Sequence, residues 1–306
     1  MGHAAENVME HLADRSDVTF ALQSPQLGTG HALRQALGQL DRNEPKTLVC
    51  LGDVPLLSRR TLEAIAREAE TSDLVLLTVE LDNPTGYGRI LRNPAGFVRA
   101  IVEEKDASPE ERRVREVNTG IMCLPTSRLD GWLSSLKAAN AQGEYYLTDV
   151  IGLAADEGLR ITTVHPEHAW EVEGVNSKAQ LASLERVWQR EQARRLLDAG
   201  VTLIDPSRID IRGSLECGKD VEIDVNCVFE GQVRLADGVR IGANCVIRDA
   251  EIDAETEILP FCHIEGARIG MNGRIGPYSR LRPGAELIGG NHIGNFVEVK
   301  KSTVGI

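Results

Sequence analysis

From Ile211 onward an apolar residue occupies every sixth position, at Ile211, Cys217, Ile223, Phe229, Leu235, Ile241 and Ile247. The series resumes after a five-residue step at Ile252, Ile258 and Ile264, and after another at Ile269, Ile275, Leu281, Leu287, Ile293 and Val299. Many of these residues are followed by a small or acidic one, as in IGANCV, IGMNGR, IGPYSR and IGNFVE, and a smaller residue tends to recur four places on. A β-sandwich would show strict alternation with turns at irregular spacing. A period of six instead predicts a parallel β-helix in which each hexad forms one face and three hexads close one coil. Such coils expose a bare end unless capped or continued, and the sequence reaches Thr303-Val304-Gly305-Ile306 in mid-pattern.

The 306 residues are more than one hydrophobic core usually serves. From Val18 to about Val172 short β-branched runs alternate with helical stretches, the pattern of parallel strands joined by crossover helices. TLVCLGD (47–53) reads as a buried strand ending in a Gly-Asp turn. SRRTLEAIAREAE (58–70) follows as a helix with Leu62, Ile65, Ala66 and Ala69 at helical spacing, and then the strand DLVLLTVEL. In open α/β sheets ligands bind outside the carboxyl ends of strands, which singles out Asp53. One long helix is expected from Ser177 to Ala199, stopped by Gly200, as a connector.

Several classes of function are disfavoured. A net charge of −12 speaks against a nucleic-acid backbone as partner. The longest apolar runs, such as Leu74 to Val79 interrupted by Thr78, fall well short of the roughly 20 residues that span a bilayer. MGHAAENVME has no basic region followed by an apolar core, so a cytoplasmic location is expected. The cysteines Cys50, Cys123, Cys217, Cys227, Cys245 and Cys262 form no C-x-x-C pair and read as free thiols. The last four fall on inward-pointing hexad positions, where packing explains them. His31, His165, His168, His263 and His292 have no acidic partners at ligand spacing and read as surface or core residues.

A run of segments closely resembles the bifunctional bacterial family of UDP-N-acetylglucosamine pyrophosphorylase and glucosamine-1-phosphate N-acetyltransferase. They are QSPQLGTGHA (23–32), LGDVPLL (51–57), PTGYGRI (84–90), IVEEKDA (101–107), VNTGIM (117–122), NAQGEYYLTD (140–149), EVEGVNS (171–177), RLRPGAEL and NHIGNFVEVKK. They come in the family's order and cover nearly the whole chain. The resemblance implies an α/β, Rossmann-like nucleotidyltransferase domain over 1–176, a linker helix over 177–200 and a left-handed parallel β-helix of hexapeptide repeats over 201–306.

It also implies roles for particular residues. Asp53 and Asn176 look like the family's Mg2+-holding pair, a carboxylate and an amide oxygen that suit a hard cation; the plainer alternative is that Asp53 caps the next helix. Gln23, Gly28 and Thr29 match positions that hold the uracil, with Gly52 beside Asp53 on the nucleotide side. Gly88, Glu103 and Asn118 match positions that hold the N-acetylglucosamine moiety together with Asn176, whereas Glu103 and Glu104 could instead be a solvated pair. Arg282 and Lys300, eighteen residues or one coil apart, match the basic pair that grips the phosphate of glucosamine 1-phosphate. They should stack on one face of neighbouring coils, with Lys301 pointing elsewhere.

The implied chemistry is acetyl transfer from acetyl-CoA to glucosamine 1-phosphate, followed by uridylyl transfer from UTP to N-acetylglucosamine 1-phosphate, giving UDP-N-acetylglucosamine for the cell wall. A homotrimer is implied as well. The family's opening strand, its glycine-rich loop with an Arg and a Lys, and its catalytic His have no match in residues 1–306. Little of either activity is therefore expected from these residues alone. A nucleotidyltransferase of other specificity, such as one making ADP-glucose, is the alternative enzyme. A non-catalytic trimeric scaffold that only binds ligand is the alternative of another class.

Overall fold

The computed structural model describes Gly2 and residues 5–305. The readings that rest on Met1, on the adjoining His3 and Ala4, and on Ile306 lie outside the described residues. The chain divides into two compact units, Met1–Ser177 and Lys178–Ile306.

The first unit is built on a six-stranded sheet. Its strands are β1 (Lys46–Val49), β2 (Leu74–Glu80), β3 (Arg89–Arg92), β4 (Val98–Val102), β5 (Glu116–Pro125) and β6 (Ile161–Val164). They run in the order β4-β3-β5-β2-β6, with β1 also paired to β5. Leu74 to Val79 of β2 are all buried, as a near-continuous apolar run requires of a central strand covered on both faces.

The parallel sheet expected from the sequence is corrected to a mixed one. β2 and β6 pair in parallel, whereas β1–β5, β2–β5, β3–β4 and β3–β5 are antiparallel. The reason lies in the connections. Residues between β2 and β5 form a hairpin rather than a crossover helix, and its tip at Asn93–Gly96 is closed by the Asn93 side chain accepting from the backbone of Ala95 and Phe97. Short connections of this kind reverse the chain. The expected buried strand at 47–53 also differs: β1 stops at Val49, Leu48 is 43% exposed, and among the described residues β1 pairs only with β5.

The helices of this unit are α1 (Ala5–His11), α2 (Thr29–Ala36), α3 (Arg59–Ala69), α4 (Leu129–Ser135) and α5 (Asp149–Asp156). Ser58 caps α3 by accepting from the Thr61 backbone N–H at 3.1 Å. The face of α3 that buries is Thr61, Ile65 and Ala69, so a polar Thr61 takes the place that spacing assigns to Leu62.

The second unit is a left-handed parallel β-helix preceded by α6 (Lys178–Asp198). Its sheets stack in register: Ile211 on Phe229 on Ile247 on Ile264 on Leu281 on Val299, with two equivalent columns on the other faces. These are the hexad positions, and all are buried except Cys217 and Val299, which are partly so. α6 is a cap as well as a connector. Its Ala193 and Leu196 enter the prism core, and the buried Gln189 amide donates to the Ile211 carbonyl and accepts from its N–H, both at 2.8 Å. Gly200, at φ 92°, ends the helix in the left-handed conformation that glycine tolerates.

Each corner of the prism needs left-handed backbone once per coil. One corner uses Asn226, Asn244, Phe261, Tyr278 and Phe296, all with φ near 60°. Along it the two asparagines hydrogen-bond, and the three aromatic rings stack at 4.9 and 5.5 Å. On the outer faces charges alternate from coil to coil. Glu216, Arg234, Glu251, Arg268 and Glu286 form one such column, and Glu222, Arg240, Glu257 and Arg274 another. Each exposed pair contributes only about 0–1 kcal/mol, yet a slip by one coil would set like charges against each other along every column.

Candidate functional site

The N-terminus of α2 is zipped to the segment before α5. Tyr145 N donates to Leu27 O and Gly30 N to Tyr145 O, both at 2.8 Å, and Leu147 N donates to Thr29 Oγ1 at 3.1 Å. Gly28 sits at φ 103° with an added Cβ only 2.7 Å from Tyr145 O, so the zipper closes only with glycine there. Gln23 lies behind this turn, its amide nitrogen donating to Gly28 O at 2.9 Å and lying 3.2 Å from Nδ1 of the buried His31.

This zipper forms one wall of a cavity of about 290 Å³. Thr29, Glu103, Asn118 and Thr148 contribute its polar groups, and Ala32, Leu33, Val49, Cys50, Leu51, Met122 and Leu147 its apolar ones. Thr148 Oγ1 donates to Oε1 of Glu103 at 2.9 Å. Burial pushes the Glu103 carboxyl above its ordinary range, and the charges of Asp149 and Asp106 add to this against the Thr148 hydrogen bond. Asn118 Oδ1 accepts from Gly120 N at 3.1 Å, and its backbone N–H donates to Gly88 O at 2.8 Å. Glu103 and Glu104 are therefore not a solvated pair. Glu104 pairs at 2.6 Å with the guanidinium of Arg89, which is 1% exposed, while Glu103 turns into the cavity.

Two residues beyond the cavity-lining Leu51, Gly52 and Asp53 form a turn. Asp53 does not cap α3, because Ser58 does. Its carbonyl accepts from the N–H of Val175 at 2.8 Å, and a Cβ on Gly174 would lie 3.3 Å from its Oδ2. The Asp53 turn and the irregular segment leading into Asn176 are thus in direct contact. No group of three or more His, Cys, Asp or Glu suited to a metal occurs among the described residues. A cation here would take a carboxylate and an amide oxygen from the protein and the rest of its shell from water and phosphate, which is how Mg2+ is usually held. Asp53 supplies a hard carboxylate oxygen of the kind that ion takes, and its turn adjoins the segment that carries Asn176.

In the second unit Leu281 and Val299 are register partners, so Arg282 and Lys300, which follow them, are neighbours on successive coils. They continue the column Arg212, Glu230, Arg248 and Glu265, in which opposite charges alternate and adjacent side chains pair. At Arg282 and Lys300 the alternation gives way to two cations, with Glu298 at 3.1 Å from Arg282. Lys301 turns the corner at φ 43°. Two like charges on adjacent rungs are suited to an anion.

Of the residues singled out in the sequence, Thr29, Glu103 and Asn118 share the cavity; Gly88 abuts Glu103; Gln23 and Gly28 support Thr29; Gly52 and Asp53 follow the cavity-lining Leu51; and Asn176 follows Val175, which bonds to Asp53. Thr148, Cys50, Met122 and Leu147 were not foreseen. Thr148 lies inside a quoted motif, which was its available signal; the apolar liners look like core residues in sequence.

A mixed-sheet domain with its cavity beside the β1 turn is the architecture of a nucleotidyl transferase, and residues 2–174 match the Nucleotidyl transferase family. The chain is 59% identical over 304 residues to the "Bifunctional protein GlmU" of Cupriavidus pinatubonensis, covering 99% of this chain and 66% of the relative. It is 60% identical over 303 residues to that of Azoarcus sp. (99% and 67%), and 58% identical over 305 to that of Burkholderia vietnamiensis (100% and 67%). The chain belongs to this family of bifunctional nucleotidyl transferases, and it spans about two thirds of the length of the curated relatives it matches. No helix among the described residues is long and apolar enough to cross a membrane.

Proposed function

We propose that the first unit binds UDP-N-acetylglucosamine and its precursors with Mg2+, and serves uridylyl transfer from UTP to N-acetylglucosamine 1-phosphate with release of pyrophosphate. The observation that carries this reading is the contact between the Asp53 turn and the Asn176 segment, one turn from a cavity holding Glu103, Asn118 and Thr148. Asp53 and Asn176 would hold the metal. Its positive charge, when bound, would offset that of the phosphates as a sugar-phosphate oxygen attacks the α-phosphorus. Glu103 would accept from sugar hydroxyls, and Asn118 would serve a hydroxyl or the acetamido group. Thr29, Gly28 and Gln23 would hold the uracil against the α2 turn. Because no Lys or Arg among the described residues lines the cavity, binding by residues 1–306 is expected to outlast turnover.

In the second unit Arg282 and Lys300 would clamp the phosphate of glucosamine 1-phosphate for acetyl transfer from acetyl-CoA, with a homotrimer as the working assembly in the cytoplasm. The break in charge alternation supports this part. Titration calorimetry of the 306-residue protein with UDP-N-acetylglucosamine, UDP-glucose and ADP-glucose tests the specificity. Affinity is expected to fall in that order, and a preference for ADP-glucose would contradict it. The scaffold reading draws support from the absence of cations among the described residues along the cavity wall. It predicts binding without pyrophosphate release when UTP, Mg2+ and N-acetylglucosamine 1-phosphate are supplied together.

A further inference from the structure

Glu171 is 2% exposed, and its carboxylate sits where two distant loops meet. Oε2 accepts from Thr61 Oγ1 at 2.6 Å and from the Ser58 backbone N–H at 3.3 Å, while Oε1 accepts from the His168 N–H at 3.1 Å. We propose that Glu171 is a positioning residue for the metal-holding pair, locking the Asp53 loop and the Asn176 loop together at the N-terminus of α3. This inference rests on the assignment of Asp53 and Asn176 made above.

The connections form a closed ring. Ser58 ends the loop that begins at Asp53, and Glu171 opens the segment that leads to Asn176. Their far ends are joined through the Glu171 carboxylate, and their near ends through Val175 N to Asp53 O. Val54 and Val172, one from each loop, pack in the same apolar cluster with Ile65. Two fixed ends on each loop leave the backbones that carry Asp53 and Asn176 little freedom to part.

Stability of α3 alone does not call for this arrangement. Ser58 already caps the helix, and burying a carboxylate is costly unless every lone pair is used. α3 has no acidic residue in its own first turn, so Glu171 supplies the negative charge that its positive end favours. Burial acts to raise the Glu171 carboxyl, but hydrogen bonds from Ser58, Thr61 and His168 outweigh it and hold the group below the ordinary range, ionised.

The test is an electron paramagnetic resonance titration of Mn2+ into the full chain with UDP-N-acetylglucosamine present, for wild type, Glu171→Gln, Glu171→Ala and Thr61→Val. Loss of a residue that orients metal ligands typically weakens metal binding by about 10–100-fold, and Glu171→Ala is expected to do so. Glu171→Gln should fall between it and wild type. Thr61→Val, nearly isosteric and retaining the Ser58 cap, should weaken Mn2+ in the same direction, which keeps the test decisive if Glu171→Ala does not fold. UDP affinity in EDTA, which is assigned to Gln23, Gly28 and Thr29 rather than to the metal-holding pair, should be unchanged in all. Variants that lose thermal stability but keep wild-type Mn2+ affinity would overturn the role of Glu171 alone. A wild type that takes up no Mn2+ would overturn the metal assignment and this proposal with it.

Discussion

Gly88 stands directly against Glu103: a Cβ on Gly88 would lie 3.3 Å from Oε2 of Glu103 and 2.9 Å from Cγ2 of Ile101. The two residues flank the β3–β4 hairpin, which carries Glu103 from the sheet edge into the cavity. Gly88→Ala must therefore displace Ile101, whose side chain is core, or Glu103, whose side chain is site. A cost of about 1–3 kcal/mol is expected from such overpacking. N-acetylglucosamine 1-phosphate binding should weaken with it, as calorimetry and urea denaturation of the same sample would show.

Glu103 itself links stability and binding in opposite senses. Its folded carboxyl binds a proton more tightly than the unfolded chain does, chiefly through burial. The folded state then holds more protons between the ordinary carboxyl value and the raised one, so stability falls as pH climbs through that window and stays lowered above it. Glu103→Gln keeps an acceptor for Thr148 and removes the buried charge. It should raise the thermal midpoint at pH 7 and flatten its pH dependence. Sugar binding should lose about 1.5–3 kcal/mol, the worth of a hydrogen bond to a charged group. A midpoint unchanged at pH 7 would show that the buried charge costs the fold nothing.

The prism should respond differently inside and at its corners. Ile264 is fully buried between Ile247 and Leu281, and Ile264→Ala is expected to cost about 2–5 kcal/mol. Tyr278 stacks in the aromatic corner but holds φ 56°, where a side chain is strained. In Tyr278→Gly lost stacking and relieved strain should offset each other to within about 1 kcal/mol. Urea unfolding midpoints of the two variants give the comparison.

At the end of the charge column, Lys300→Glu would restore alternation with Arg282. It is expected to leave the prism as stable or slightly more so, while binding of glucosamine 1-phosphate drops by at least about tenfold. Lys301→Ala, around the corner, should change neither. Equal losses for Lys300→Glu and Lys301→Ala would remove the case for a defined clamp.

The prism was legible to the residue, because a hexad repeat writes its inward positions directly into the sequence and every coil repeats the same constraint. Its corners were less so. Asn226 and Asn244 are residues that accept left-handed backbone, whereas Phe261, Tyr278, Phe296 and Lys301 give no such hint. In the first unit α3 and β2 followed from spacing, but strand direction did not, since it depends on how the chain turns between β2 and β5. Motif residues such as Glu103 could be found one by one. Glu171 opens the motif EVEGVNS, yet its role could not be read there, because it acts through Ser58 and Thr61, residues more than a hundred positions away. Likewise Thr61 displaces Leu62 from the buried face of α3 for a partner that local periodicity does not see.

Calorimetric titration of UDP-N-acetylglucosamine into the 306-residue protein, in Mg2+ and again in EDTA, with Asp53→Ala alongside, bears most directly on the metal beside the sugar-nucleotide cavity. Saturable binding that weakens at least about tenfold in EDTA is expected, with Asp53→Ala indifferent to the metal. Equal affinity with and without Mg2+, or a metal response that survives in Asp53→Ala, would contradict the assignment.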